Sequence, residues 1–223
     1  MTTSAIERPA GSGRESVVTA ESRFRPVPLE AHANNRAVTP AHGTADGAFN
    51  VWRNSFPAEH LPEPGSAITV DEVPFRFPEP TPAGDNLRCA GQYLRLPAGR
   101  YDWIHLLAAG ERRVEAEAAL HFADGEVDFE AVRVSDFWAA PARFGEREAF
   151  RTPVMHYPQH VQPGVPACLW AQRVPVTRRA VLHGIRLPRH IALHVFALTL
   201  ESVTRSVAPS TAPEPALGAE AAR

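Results

Sequence analysis

Two histidines in the segment MHYPQH offer the most direct acid–base chemistry in this sequence. His156 and His160 flank Tyr157 and Pro158, and an imidazole titrates near neutral pH, where it donates or accepts a proton. A His-x₃-His pair on a helix would bind a metal, but proline disfavours a helix interior. We therefore expect a loop at the rim of the fold, which is either a ligand-facing loop with acid–base residues or an ordinary polar connection.

Carboxyl groups next to indole rings are a second source of acid chemistry. Asp136 lies two residues before Trp138, and Asp102 directly precedes Trp103. An apolar neighbour raises the pKa of a carboxyl group, which then serves as an acid, although two such neighbours are also expected by chance. Asp136 joins the two histidines of MHYPQH as a predicted catalytic residue.

Aromatic side chains could form a ligand surface, because their faces stack on the apolar C–H faces of sugars. Trp52 and Trp138 stand at predicted strand ends beside polar residues, so they are predicted to contact ligand, with Tyr157 as a further pocket wall. Trp103 and Trp170 lie within apolar strands and are predicted to be core residues. The remaining histidines of the strand runs, at 105, 121, 183, 190 and 194, are predicted to be structural.

Short alternating runs separated by turns dominate the sequence from residue 66 to residue 136. Period-two alternation with turn signals every 8–12 residues is typical of a β-sandwich or barrel. A short helical turn is expected within 55–61. Strands are expected at 49–53, 66–70, 73–77, 87–91, 93–96, 103–109, 113–122, 126–134, 167–174, 180–187 and 191–201.

Composition limits the possible classes of protein. The chain has 223 residues and a net charge of −2, so neither nucleic acid nor a membrane is expected as a partner. Its N-terminus has no signal-peptide pattern, which predicts a cytoplasmic protein. Cys89 and Cys168 are expected to be two buried free thiols. We expect disordered tails at 1–22 and 205–223 around one domain at 23–204.

Six segments, in this order, resemble a bacterial jelly-roll domain of the galactose-binding and carbohydrate-binding-module type, which is found attached to secreted glycoside hydrolases. They read FNVWRNSFPAEHLP, ITVDEVPFRFP, GDNLRCAGQYLRLP, FADGE, VSDFW and IRLPRHIALHVFALTLE. The resemblance implies an all-β fold, an antiparallel β-sandwich (jelly roll), and sugar binding. Where such relatives carry several acidic residues near the first strand, this chain reads DGAFNVW.

The resemblance also implies a structural Ca²⁺ ion, since jelly rolls of this kind often hold one between an early loop and the last strand. The oxygen ligands would come from Asn35, Asp46, Asn50 and Glu201, completed by backbone carbonyls. The alternative is that they are a turn aspartate, amides of the loop and a solvated strand-end glutamate. No organic cofactor is expected.

Two functions follow from these expectations. The first is a ligand-binding β-sandwich for a carbohydrate, a glycosylated molecule or a polyol. The alternative is a small-molecule enzyme of specialised metabolism, of cyclase, isomerase or lyase type, with an acid–base residue in an apolar pocket. A structural or partner-binding subunit is a third possibility, and exposed sheet edges favour a homodimer.

Overall fold

Strands make up about half of the residues described by a computed structural model, which covers residues 23–138 and 141–203. The tails predicted at 1–22 and 205–223 lie outside the described residues. The strands are β1 (Phe24–Val27), β2 (Val38–Thr39), β3 (Phe56–Pro57), β4 (Ala67–Val70), β5 (Val73–Arg76), β6 (Leu87–Arg88), β7 (Tyr93–Gly99), β8 (Tyr101–Gly110), β9 (Val114–Phe122), β10 (Val127–Val134), β11 (Arg147–Tyr157), β12 (His160–Pro175), β13 (Leu182–Arg186) and β14 (Leu193–Ser202).

Two antiparallel sheets form the body of the fold. The larger sheet has the order β1–β14–β8–β12–β11, with β6 also paired to β14, and the smaller has the order β10–β9–β13–β7. Apolar side chains from both sheets form the core between them, including Leu106 of β8, Leu120 of β9 and Leu198 of β14. The predicted all-β antiparallel sandwich is confirmed.

The outer face of the larger sheet is also covered, which gives the protein a second core. Leu107 of β8 and Leu169 of β12 point outward and pack against Phe56 and against Phe75 of the β4–β5 hairpin. A strand that is buried on both faces reads as a continuous apolar run. This explains why nine successive residues of β14, from Leu193 to Glu201, are buried.

The prediction of a strand at 49–53 is wrong. Asn50 folds this segment into a turn, because its Oδ1 accepts hydrogen bonds from the backbone N–H groups of Trp52 and Asn54, each at 3.1 Å. Arg53 adopts a left-handed φ of 60° in the same turn. An asparagine side chain that bonds the backbone ahead of it competes with strand formation. The helical turn expected within 55–61 is present as a 3₁₀ turn over Ala58–His60.

The MHYPQH segment is not a loop either. β11 continues to Tyr157 and β12 begins at His160, with Pro158 and Gln159 as the two residues of a tight hairpin turn. Pro158 thus interrupts the ladder only where the chain reverses, which is a position that proline tolerates. Within the described ranges, no helix is both long enough and apolar enough to cross a bilayer.

Candidate functional site

His156 and His160 lie on opposite faces of the β11–β12 hairpin. His156 pairs with Val161 and Tyr157 pairs with His160, and adjacent residues of a strand point to opposite sides. His156 is 1% exposed, and its Nδ1 lies 2.9 Å from the hydroxyl of Thr39. Burial lowers the pKa of His156, although Glu59 opposes this shift. His156 is therefore placed as a neutral, buried residue.

His160 faces solvent instead. Its ring stacks on Tyr157 with centroids 5.2 Å apart and an angle of 13° between the planes, and its Nε2 lies 3.1 Å from Oε1 of Gln162. None of the three cavities found among the described residues is lined by residues 156–160. The hairpin therefore does not bring the two histidines together on one face, and their catalytic role stays a prediction.

Asp136 stands apart from both histidines. Burial raises its pKa, while the backbone N–H of Trp138 and the charge of Arg112 act in the opposite direction. It lines an open hollow of about 450 Å³ with Ser135, Arg113 and Arg143. Residues 139 and 140, which the structure does not describe, directly precede Pro141 in the lining of this hollow.

The predicted aromatic ligand surface is also divided. Trp52 is 63% exposed at the tip of the Asn50 turn, whereas Trp138 is half-buried and packs on Phe137 at 4.7 Å between centroids. Trp170 is in the core as predicted. Trp103 is not, since it is only half-buried and Arg173 lies 4.2 Å above its ring.

Of the four residues predicted to bind Ca²⁺, all but Asp46 have side-chain oxygens that already make other contacts. Asn35 Oδ1 accepts a hydrogen bond from Asn86, Asn50 Oδ1 is held by the turn described above, and both carboxylate oxygens of Glu201 are engaged by Arg23 and His105. Ca²⁺ needs six to eight free oxygen ligands. Across residues 23–138 and 141–203, no group of three or more His, Cys, Asp or Glu residues is placed to hold a metal.

A polar cleft lies on the outer face of the larger sheet, between the β4–β5 hairpin, strands β8 and β12, and the start of β11. It has a volume of about 380 Å³. Its polar and charged lining residues are Asp71, His105, Arg147, Gln172 and Arg173, and its apolar lining includes Val73 and Phe75. We call this the His105 cleft.

Alternation along the strands brings these side chains to one face. Ile104 and Leu106 of β8 point into the inner core, so His105 between them points outward. Arg173 of β12 is the cross-strand partner of His105, and Arg147 on β11 forms an ion pair of 3.0 Å with Asp71 of the hairpin turn. Four segments, the β4–β5 turn and strands β8, β11 and β12, therefore supply the charged and titratable groups of the His105 cleft.

Glu201 of β14 holds the imidazole of His105 in place. Nε2 of His105 lies 2.7 Å from Oε2 of Glu201, and Nε of Arg23 donates to Oε1 at 3.0 Å. Burial disfavours the ionised form of Glu201, but the hydrogen bonds from His105 and Arg23 outweigh this and lower its pKa. Burial lowers the pKa of His105, while Glu201 acts to raise it. At neutral pH, a neutral imidazole therefore donates its Nε2–H to an ionised carboxylate.

Comparison with known families identifies the family of the chain. A family model described as the AziU2-like beta-sandwich domain matches residues 21–204. The chain belongs to this family. No curated protein matches the sequence. The match supports the β-sandwich fold of this AziU2-like domain, whereas the predicted likeness to carbohydrate-binding modules is not confirmed.

Sequence reasoning missed the charged residues of the cleft in this AziU2-like domain. His105 was expected to be structural and Glu201 to bind a metal, and Asp71, Arg147 and Arg173 were not singled out. Alternation predicts that Trp103 and His105 share a face of β8. Alternation does not indicate that β12 and β14 flank β8. The charged residues of the cleft come together because of the order of the strands in the sheet.

Proposed function

We propose that this protein binds a small hydroxylated molecule with one acidic group in the His105 cleft. The observation that carries the proposal is that an imidazole, two guanidinium groups and a carboxylate line a single cleft of about 380 Å³. Ligand sites are concave, with an apolar wall and a few convergent polar groups. The enzyme of specialised metabolism that the sequence offers as an alternative would use the same cleft.

Charge in the cleft favours an anion. Arg147 and Arg173 are cationic, and Asp71 balances only one of them through its ion pair with Arg147. Glu201 is already neutralised by Arg23 beneath the imidazole. One positive charge is left in excess, and a guanidinium group binds a carboxylate in a bidentate geometry.

Hydrogen-bonding capacity favours hydroxyl groups on the same ligand. Asp71 offers an acceptor and His105 a ring nitrogen along the cleft wall. The Trp103 ring is covered by Arg173, so a broad aromatic platform for stacking on a neutral sugar is not open here. The carbohydrate or polyol expected from the sequence is therefore narrowed to an acidic member of that class.

Matched sugar pairs test this proposal by NMR with ¹⁵N-labelled protein. D-galacturonate and D-galactose differ by one carboxylate, as do D-glucuronate and D-glucose. We expect the acidic member of at least one pair to shift the resonances of residues in the His105 cleft, and the neutral member to shift them less. Equal responses within each pair, or none at high millimolar concentration, would contradict the proposal.

Two variants locate the binding in the cleft. Arg173→Gln removes the unbalanced guanidinium group and is expected to abolish the response to the acidic sugar. Arg95→Gln is the matched control, because Arg95 is an exposed arginine of β7 in the smaller sheet. Loss of the response in both variants would indicate a general charge effect rather than a site. The predicted homodimer is a separate proposal that sedimentation velocity tests.

A further inference from the structure

The His105–Glu201 pair has the arrangement of a base and the carboxylate that orients it. Glu201 is ionised and can only accept hydrogen bonds, so the 2.7 Å contact requires the proton of neutral His105 to be on Nε2. Nδ1 then carries a lone pair. Among the described residues no group forms a hydrogen bond with Nδ1, and His105 lines the cleft. This nitrogen is free to accept a hydrogen bond from a bound ligand or from water.

The groups around the imidazole fix its orientation and its basicity. Phe24 of β1 contacts the ring edge-to-face, with 6.0 Å between centroids. Of the nearby charges, Glu201 acts to raise the pKa of His105, whereas Arg173 and Arg23 lower it. Asp71 and Arg147, which pair with each other, line the same cleft. The imidazole is thus held neutral and ready to accept a proton.

We infer that His105 is a general base that takes a proton from a hydroxyl group of the molecule bound in the cleft, with Glu201 as its positioning residue. This inference rests on the proposed function. The O–H bond of the ligand breaks, its electron pair stays on the oxygen, and the proton forms an N–H bond at Nδ1. Glu201 stabilises the resulting imidazolium, and the oxygen gains nucleophilic character.

The substrate class follows from two neighbouring side chains of the cleft. A carboxylate of the ligand is held by Arg173, and a hydroxyl group reaches Nδ1 of His105, its cross-strand neighbour. The substrate is therefore a compact hydroxy acid or sugar acid. The imidazole alone can accept the proton from the hydroxyl group of this substrate.

Histidine ¹⁵N NMR of the full chain tests the inference. We expect neutral His105 to have its proton on Nε2, and D-galacturonate to shift the Nδ1 resonance. Glu201→Gln removes the negative charge, so the apparent pKa of His105 should fall. Arg23→Gln removes a positive charge at an exposed position, so the same pKa should rise. This second variant keeps the test usable if Glu201→Gln fails to fold.

The outcomes separate the inference from the proposed function. A proton on Nδ1, or a titration of His105 that neither variant moves, overturns the assignment of a base. If galacturonate shifts Gln172 and Arg173 but not Nδ1 of His105, ligand binding holds and the inference is wrong. If the tautomer and both pKa changes are found but no acidic sugar is bound, the ligand class is overturned while the assignment of the pair as a base stands. His105→Gln, which keeps a donor to Glu201, should abolish the Nδ1 signal and weaken the binding of D-galacturonate.

Discussion

The hydroxyl of Thr39 connects the side chain of His156 to the side chain of Ser55. Its Oγ1 lies 2.9 Å from Nδ1 of His156 and 2.7 Å from Oγ of Ser55. All three side chains are buried, and the backbones of Ser55 and His156 exchange two hydrogen bonds of 3.0 Å. This chain of bonds attaches the segments that cover the outer face of the larger sheet to β11.

Thr39→Val is expected to destabilise the protein by about 1–3 kcal/mol, because it leaves two buried polar groups without a partner at unchanged shape. Chemical denaturation measures the loss. Thr39→Ser is the matched control, since it keeps the hydroxyl group. Equal stability of the Val variant and the wild type would show that the bonds contribute nothing.

Stability should increase with pH between about 5 and 7. Burial lowers the pKa of His105 and of His156 in the folded protein, so the unfolded chain binds more protons below the ordinary pKa of about 6.5. The stabilisation is complete above that pKa and is lost as pH falls toward the folded values. Each histidine contributes at most about 1.4 kcal/mol per pH unit.

Urea denaturation across this pH range measures the slope. His156→Gln should reduce it, whatever the variant does to stability at pH 7, whereas His42→Gln at an exposed position should leave it unchanged. A flat profile in the wild type would contradict the neutral, buried state of these imidazoles.

Gly184→Ala should destabilise the smaller sheet by about 1–3 kcal/mol, because it overpacks a filled space. A Cβ at Gly184 would lie 2.0 Å from the hydroxyl of Tyr93, and that hydroxyl is 3.2 Å from Nδ1 of His183. The tyrosine ring therefore occupies the space that the missing side chain leaves. Thermal or chemical denaturation measures the cost.

A double-mutant cycle separates this clash from a general cost of alanine. With Tyr93→Ala in place, Gly184→Ala should cost much less than it does alone, since coupled neighbours are not additive. Additive costs of the two substitutions would show that Tyr93 is not the group that the new methyl contacts.

Both thiols should be unreactive in the native protein. Cys89 and Cys168 are free and buried, and burial raises their pKa to about 12 and about 11 respectively. The thiolate is the reactive form, so a disulfide reagent at pH 8 should modify neither cysteine until denaturant is added, and then both. Rapid modification of one thiol in the native chain would contradict its burial.

The fold class could be predicted from the sequence because alternation is a local property. The runs at 114–122 and 127–134 are strands β9 and β10 joined across FADGE, as their pattern indicates. β11 is not predicted from the sequence, because its charged residues and Pro153 break the alternating pattern. It lies at the edge of the larger sheet and forms a strand through its pairing with β12. The apolar pattern predicts a strand at 49–53, but the hydrogen bonds between the Asn50 side chain and the backbone form a turn there instead.

Sequence by itself determined that this is an all-β sandwich with two buried free cysteines. Period-two alternation and turn residues are local features, so neighbouring residues are enough to predict them. Tertiary structure alone decided the site. His156 and His160 are four residues apart, yet the hairpin places them on opposite faces. His105 and Glu201 are 96 positions apart, yet β8 and β14 are neighbours, and the order of strands in a sheet is set by the packing of the whole chain.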